Sequence, residues 1–288
     1  MNINTLKRTR LVLAFAALWA ASTCAHADAT LDKIKQRGRI VVGVMISGGP
    51  FGAIDPATQR FVGWNPELAR DLARRLGVEL EAVQVLPSNR VQFLQAGKVD
   101  ALIAGMEVTP ERAEILDYAH TPHYRVGGTA ATLKTSGITR WEDLRGKPVC
   151  LSQGSSYAKP LTEQYGAQVK GFKSSSESLL ALRGNNCVAA VHDTVVVYPL
   201  LRTNAEWKDY AAPLPELNPA PSVVWVRKGE TDTAAAIDKV VQDWHRSGWL
   251  IATETRLGIA PANPVLQELH AEYKATKADK AVVKAAAR

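Results

Sequence analysis

The stretch KVDALIAGMEVTPER, residues 98–112, predicts a buried strand that runs straight into a helix start carrying an arginine. Val99, Ala101, Leu102, Ile103 and Ala104 form a short apolar run, the composition of a strand covered on both faces. Gly105 lets the backbone turn and leaves its N–H accessible. Thr109 then reads as an N-cap, Pro110 as the first helical residue and Glu111 as a first-turn acid, with Arg112 inside the first turn. A guanidinium fixed beside unpaired helix N–H groups and small residues is what holding a carboxylate requires. A capped helix with a surface arginine explains the same residues, so the neighbouring segments have to decide.

Working outward, short apolar strands alternate with helical segments. Ile40–Val44 predicts a strand, and Asn65 a cap for a helix with Pro66 at its first position, Leu68, Leu72 and Leu76 on one face, and Gly77 at its end. Glu79–Val85 alternates as a strand, and Val91–Ala96 is a short helix feeding the strand from Val99. This is the rhythm of parallel α/β units. It breaks at Gly127–Thr139, a strand-like GGTAATLK and a polar linker, then restarts with strands at 149–151, 169–172 and 188–191 and helices at 156–165 and 176–183. A proline-rich passage, 213–221, precedes a strand at 222–226 and helices at 233–247 and 262–271. QAGKVDALIAG (95–105) and LRGNNCVAAVHD (182–193) faintly echo each other, each passing from a helix end through glycine into a strand. The expected fold is α/β, two lobes joined by two strands with a cleft between them. Residues 28–128 plus 225–273 make the first lobe and 129–224 the second, with the hinge strands at its ends.

The 288 residues suffice for two such lobes. Lys7, Arg8 and Arg10 precede the apolar run 11–21, and Ala25-His26-Ala27 offers a small-x-small cleavage site, so 1–27 is read as a secretory signal peptide cleaved after Ala27. Its apolar run is too short to span a bilayer. Lipidation at Cys24 is the alternative, in a poor context. The formal charge of +7 invites a nucleic-acid partner, but 1–27 holds three basic and no acidic residues and 274–288 five basic and one acid. The body, 28–273, is therefore neutral and carries no basic stripe for phosphates. The tail is expected to be a solvated or fraying helix. Cys150 and Cys187 remain after cleavage; an even count in an exported chain favours a disulfide over a metal site, with two buried thiols as the alternative.

Five segments end strands or begin helices where ligands usually bind: 47–51 with Phe51, 63–65 with Trp64, 105–112, 153–156 with Ser155 and Ser156, and 192–194 with His192 and Asp193. Trp64 could equally pack in the core, Ser155 and Ser156 form an ordinary cap, and Asp193 cap the following helix. Taken together, they offer a cation and N–H donors on one side, an anion on the other, and aromatic walls. That complements an α-amino acid; a lone acid or a sugar would leave half of the groups unused.

On LDKIKQRGRIVVGV, GWNPELARDLARRLGV, LQAGKVDALIAGMEVTPERAEILDYAHTPHY, WEDLRGKPVCLSQGSSY and AAVHDT, the chain resembles the periplasmic solute-binding proteins of polar amino-acid ABC transporters (bacterial extracellular solute-binding protein family 3) over about residues 31–260. The resemblance implies the type II periplasmic-binding-protein fold, a monomer that closes on its ligand about the hinge, and permease subunits in the inner membrane as partners, with no cofactor, metal or nucleic acid. It implies that Arg112 clamps the α-carboxylate with help from Gly105 and the Ser155 region, that Asp193 takes the α-ammonium, and that Phe51 and Trp64 enclose the side chain. It also implies a Cys150–Cys187 bridge between neighbouring strands. Glu107 departs from the pattern, where Ser or Thr usually donates to the same carboxylate. Either it turns outward, or the ligand is a cationic or decarboxylated amine, or the site is rearranged. Pairing with Arg112 would relieve its repulsion.

No HExxH, GxSxG, phosphate-binding loop or dinucleotide fingerprint appears. His192 and Asp193 point to opposite faces if both lie on a strand, so they cannot form a triad's base and orienter. A ligand-binding protein rather than an enzyme is expected. The alternative is a periplasmic enzyme resembling cyclohexadienyl dehydratases, kept open by an ionisable Glu107 in the cleft.

Overall fold

The computed structural model describes residues 29–46, 49–259 and 262–275. The segment read as a signal peptide and most of the basic tail lie outside the described residues. Two mixed sheets carry the chain. The first runs β4 (Glu79–Val85), β1 (Arg39–Met45), β5 (Ala101–Ile103), β13 (Trp225–Arg227), β6 (Leu116–Tyr118). β4, β1 and β5 are parallel, while β13 is antiparallel to both neighbours. The second runs β11 (Tyr210–Ala211), β7 (Tyr124–Leu133), β10 (Ala189–Asp193), β8 (Pro148–Ser152), β9 (Gln168–Phe172), with β12 (Leu217–Ser222) also paired to β7. A hairpin of β2 (Ala53–Ile54) and β3 (Phe61–Val62) precedes helix α2 (Trp64–Leu76).

The N-terminal helix α1 (Ala29–Arg37) packs against β1, as do α2 and α3 (Arg90–Gln95), and α4 (Pro110–Ile115) leads into β6. In the second lobe α5 (Ala158–Glu163) lies on β9, and α6 (Ser175–Arg183) and α7 (Thr194–Thr203) on β10. The C-terminal helices α8 (Thr231–Ser247), α9 (Trp249–Arg256) and α10 (Pro264–Lys274) return to the first lobe, where α8 contacts β13 and β6.

The central strands are apolar because helices cover both faces: Ile40, Val42 and Val44 of β1 and all of β5 are fully buried. Gly43 permits that packing, since a Cβ there would meet Leu102 at 2.6 Å. Helix α2 starts earlier than its cap-type residue suggests. Gly63 precedes it at φ 106°, with Pro50 O and Gly52 N within 3 Å of where a Cβ would stand, so only glycine fits the entry. Asn65 therefore lies inside the helix, and its Nδ2 donates to Met45 O at 3.2 Å instead of capping. Gly77 ends the helix in the left-handed region, as read.

The parallel rhythm holds for only three strands of each sheet. Of the antiparallel members, β7 takes in most of the strand-like GGTAATLK, β12 falls in the proline-rich passage, and β13 overlaps the strand read at 222–226. Residues 217–222 form β12 despite Pro219 and Pro221, and a separate strand follows at 225–227. β12 tolerates the prolines because β7 is its only strand partner among the described residues, and its register shifts between Leu217 and Ala220.

The chain has two lobes with separate cores. Trp64, Leu68, Leu72, Val42 and Trp244 belong to one, and Trp141, Leu144, Val149, Leu151 and Leu161 to the other. β7 enters both: Tyr124 and Val126 pack in the first core, Ala130 in the second. β12 pairs along its first half, Ser222 opposite Tyr124 and Leu217 opposite Gly128, so two antiparallel strands cross between the lobes. Cys150 on β8 and Cys187 just before β10 form a disulfide with Cα atoms 5.7 Å apart, linking neighbouring strands.

Candidate functional site

The loop 104–108 crosses the floor of the cleft between the lobes and is pinned at every residue. Trp225 Nε1 donates to Met106 O at 2.7 Å, and Val108 N to Pro221 O at 2.9 Å. From the start of α3, Arg90 Nη1 donates to Ala104 O at 2.7 Å and reaches Gly105 O at 3.5 Å. Thr109 caps α4 by accepting from Arg112 N at 3.3 Å, with Pro110 at the first turn. The loop is thus held by contacts from both flanking segments, the kind of support that preorganised recognition requires.

Glu107 does not turn outward. It is buried, and its carboxylate lies 3.1 Å from Arg112 Nη1 and accepts a hydrogen bond from Ser156 Oγ on the other lobe. Arg112 also donates through Nη1 to Glu107 O at 2.8 Å and through Nη2 to Gly154 O, across the cleft, at 3.1 Å. Burial pushes the Glu107 pKa up, but the guanidinium groups of Arg112 and Arg90 and the Ser156 hydroxyl outweigh it and hold the carboxyl below its ordinary range. Of the possibilities for Glu107, the outward rotamer is not what the structure has; the residue pairs with Arg112.

Asp193 ends β10 and occupies the N-cap position of α7, but its side chain makes no cap bond. Instead Oδ1 accepts from Tyr157 OH at 2.7 Å, while Oδ2 faces Gly105, 3.9 Å from where a Cβ there would stand. Burial, reinforced by Glu107, pushes its pKa up to about 6, against the Tyr157 hydrogen bond. The adjacent His192 points away and pairs through Nε2 with Ser178 Oγ at 2.8 Å; burial lowers its pKa to about 4, so it is neutral at pH 7. Opposite faces of one strand thus keep His192 from orienting Asp193, as the alternation required.

Met45, Arg90, Gly105, Glu107, Tyr157 and Asp193 are among the residues around a cavity of about 30 Å³, with Ser155, Ser156 and His192 at its rim. Ser155 offers no spare backbone donor, because its N–H goes to Ser152 O at 3.1 Å and its Oγ accepts from Tyr157 N. The nearby helix starts only at Ala158. A second cavity of about 10 Å³ adjoins Gly105 and Asp193 and lies against Phe51, Trp64, Asn65, His123 and Ser222. Phe51 and Trp64 are buried there and meet Tyr124 edge-on at 5.3 and 5.0 Å. Asn65 Oδ1, His123 Nε2 and Ser222 Oγ have no hydrogen-bond partner among the described residues.

Sequence reading missed Arg90 and Tyr157. Arg90 sits in an ordinary helix start, NRVQFLQ, and only the sheet topology carries α3 beneath Gly105. Tyr157 follows the serines already singled out, and its reach to Asp193 depends on how the lobes meet.

The family model for bacterial extracellular solute-binding proteins, family 3, matches residues 40–256. The L-cystine-binding protein TcyJ of Escherichia coli is 26% identical over 88% of this chain and 96% of its own length. The glutamine-binding protein of Geobacillus stearothermophilus is 28% identical over 62% of this chain and 70% of its own. Among solved structures, the solute receptor for L-cysteine of Neisseria gonorrhoeae superposes with a TM-score of 0.76 at 26% identity, covering 82% of this chain and 98% of that one. With its two lobes, paired crossover strands and charged interlobe cavity, the chain belongs to family 3 of the bacterial extracellular solute-binding proteins.

Proposed function

We propose that the protein captures a polar amino acid in the periplasm, after cleavage of its leader behind Ala27, and delivers it by lobe closure to an ABC-transporter permease. The observation that carries this reading is the opposition of charges around Gly105: Asp193 on one lobe faces a cationic corner made by Arg112 and Arg90 on the other. A ligand bearing both an ammonium and a carboxylate meets both. The three unpartnered polar atoms beside Phe51 and Trp64 suit a short polar side chain. The family relatives named above are binding proteins for such amino acids.

A thermal-shift screen of the twenty standard L-amino acids and L-cystine tests the reading, because a ligand that binds only the folded state raises the midpoint by mass action. At least one polar amino acid is expected to raise it by several degrees, and a flat screen would end the reading. Incubation of that amino acid, and of a prephenate-type acid, with the protein is expected to return both unchanged, where turnover would favour the enzyme alternative.

Closure itself is testable at Gly154. It adopts φ 79°, and a Cβ there would meet Pro87 O of the opposite lobe at 2.5 Å. Gly154→Ala is expected to weaken amino-acid binding about tenfold or more and leave a larger radius of gyration in the liganded state. Unliganded stability should fall only by the roughly 1–2 kcal/mol of a left-handed alanine. Unchanged affinity would mean that the two lobes need not approach so closely to bind.

A further inference from the structure

We infer, building on the amino-acid reading above, that Arg90 receives the carboxylate of the ligand, while Glu107 holds Arg112 as an internal ion pair. Arg112 has both Nη groups engaged, by the Glu107 carboxylate, Glu107 O and Gly154 O. Its anion is already supplied by the chain. Arg90 is equally buried, at 4% exposure, but forms no ion pair among the described residues. Only its Nη1 is used, toward two carbonyls, and its buried Nε has no partner. Buried guanidinium groups are normally paired, because an isolated charge in a poorly polarisable interior is costly.

The opposite charge is close yet kept apart. Asp193 has Tyr157 as its hydrogen-bond partner and forms no ion pair among the described residues. Both Arg90 and Asp193 border the cavity at Gly105, Arg90 reaching the glycine carbonyl and Asp193 facing its α-carbon. Two opposite charges tethered on rigid elements, α3 and β10, and separated by a cavity are complementary to a small zwitterion. Its carboxylate would lie on Arg90 Nε and its ammonium on Asp193. Glu107 then has a second effect. By neutralising Arg112 it leaves Arg90 facing Asp193 as the cation and anion without an ion-pair partner at this cavity among the described residues, so the site matches a ligand with a single carboxylate and a single ammonium at its head.

The bland alternative is that Arg90 only pins Ala104 and Gly105. Comparing each amino acid with its own α-carboxamide separates the two, since a pinning role affects both ligands alike. Calorimetry would use the full mature chain and whichever of the twenty L-amino acids or L-cystine gives the largest thermal shift, with the matching α-amide. The wild type is expected to prefer the acid. In Arg90→Met the acid should lose about 10- to 100-fold, the cost of a lost charged hydrogen bond, the amide should change little, and the acid-over-amide preference should vanish. The double variant Arg112→Met with Glu107→Gln, which removes the internal ion pair as a unit and leaves no free charge behind, should weaken both ligands but keep the preference. Should Arg90→Met not fold, Arg90→Lys is expected to give a smaller loss confined to the acid. A preference intact in Arg90→Met, or abolished by the Arg112→Met, Glu107→Gln double variant, overturns the assignment while leaving amino-acid capture standing. No binding of any amino acid by the wild type overturns both.

Discussion

Replacing Asp193 by asparagine is expected to cost amino-acid binding about 3–5 kcal/mol, the range for breaking a buried charge pair, or two to three orders of magnitude in affinity. The asparagine keeps the shape and the partner of Tyr157 OH, so the loss reports the charge rather than the packing. The same carboxylate makes binding depend on pH in a fixed direction. Its pKa in the free protein is raised to about 6, and an ammonium ligand lowers it. Above pH 6 the affinity is expected to be flat; below it, a proton must leave before the ammonium can bind, and log Kd should rise toward one unit per pH unit. For stability the sign reverses. The folded carboxyl holds its proton more tightly than the unfolded one between about pH 4 and 6, so its contribution to unliganded stability grows as the pH falls through that window. Calorimetry at pH 8, 6 and 5 on wild type and Asp193→Asn checks both; wild-type affinity equal at pH 8 and 5 would remove Asp193 as the ammonium site.

Loss of the Cys150–Cys187 bond is expected to destabilise the chain by about 4 kcal/mol, from the closure entropy of a loop with 37 residues of separation. For a protein of this size that corresponds to a fall in melting midpoint of about 8–16 °C. The bond joins β8 to the start of β10 inside the second sheet, with both sulfurs buried, and touches neither cavity. Cys150→Ser with Cys187→Ser should therefore melt early yet bind the same amino acid with near-native affinity at 25 °C. Equal midpoints for the oxidised and reduced chains would show that the unfolded ensemble is not restrained by this link.

Much of this was legible in local sequence because local physics sets it. The apolar run of β5, the Thr109 cap with Pro110 and the Gly77 stop are short-range effects, and each sits where the residues put it. The paired cysteines were equally plain. Legibility failed where the deciding contact is distant in sequence. Asn65 has the chemistry of a cap, but the tight approach of Pro50 to Gly63 starts the helix sooner. The proline-rich passage reads as preceding a strand at 222, yet β7 accepts Pro219 and Pro221 on a strand that has no second ladder among the described residues. Glu107 posed the right question, its relation to Arg112, but the answer needed Ser156 from across the cleft. Arg90 gave no signal at all, because what distinguishes it is the partner it lacks.

The prolines of β12 carry one more consequence, for life at high concentration. The segment Leu217–Ser222 borders the junction of the lobes with β7 laddered along one edge; the loop at 107–108 meets the other edge at Pro221 and Ser222, and no second strand does among the described residues. An ordinary strand there would present a row of amide hydrogens to any neighbouring chain and invite edge-to-edge aggregation. Pro219 and Pro221 have no amide hydrogen to offer, and the register shift beside Ala220 breaks the spacing further. The strand that crosses between the lobes is thereby made a poor template for another chain.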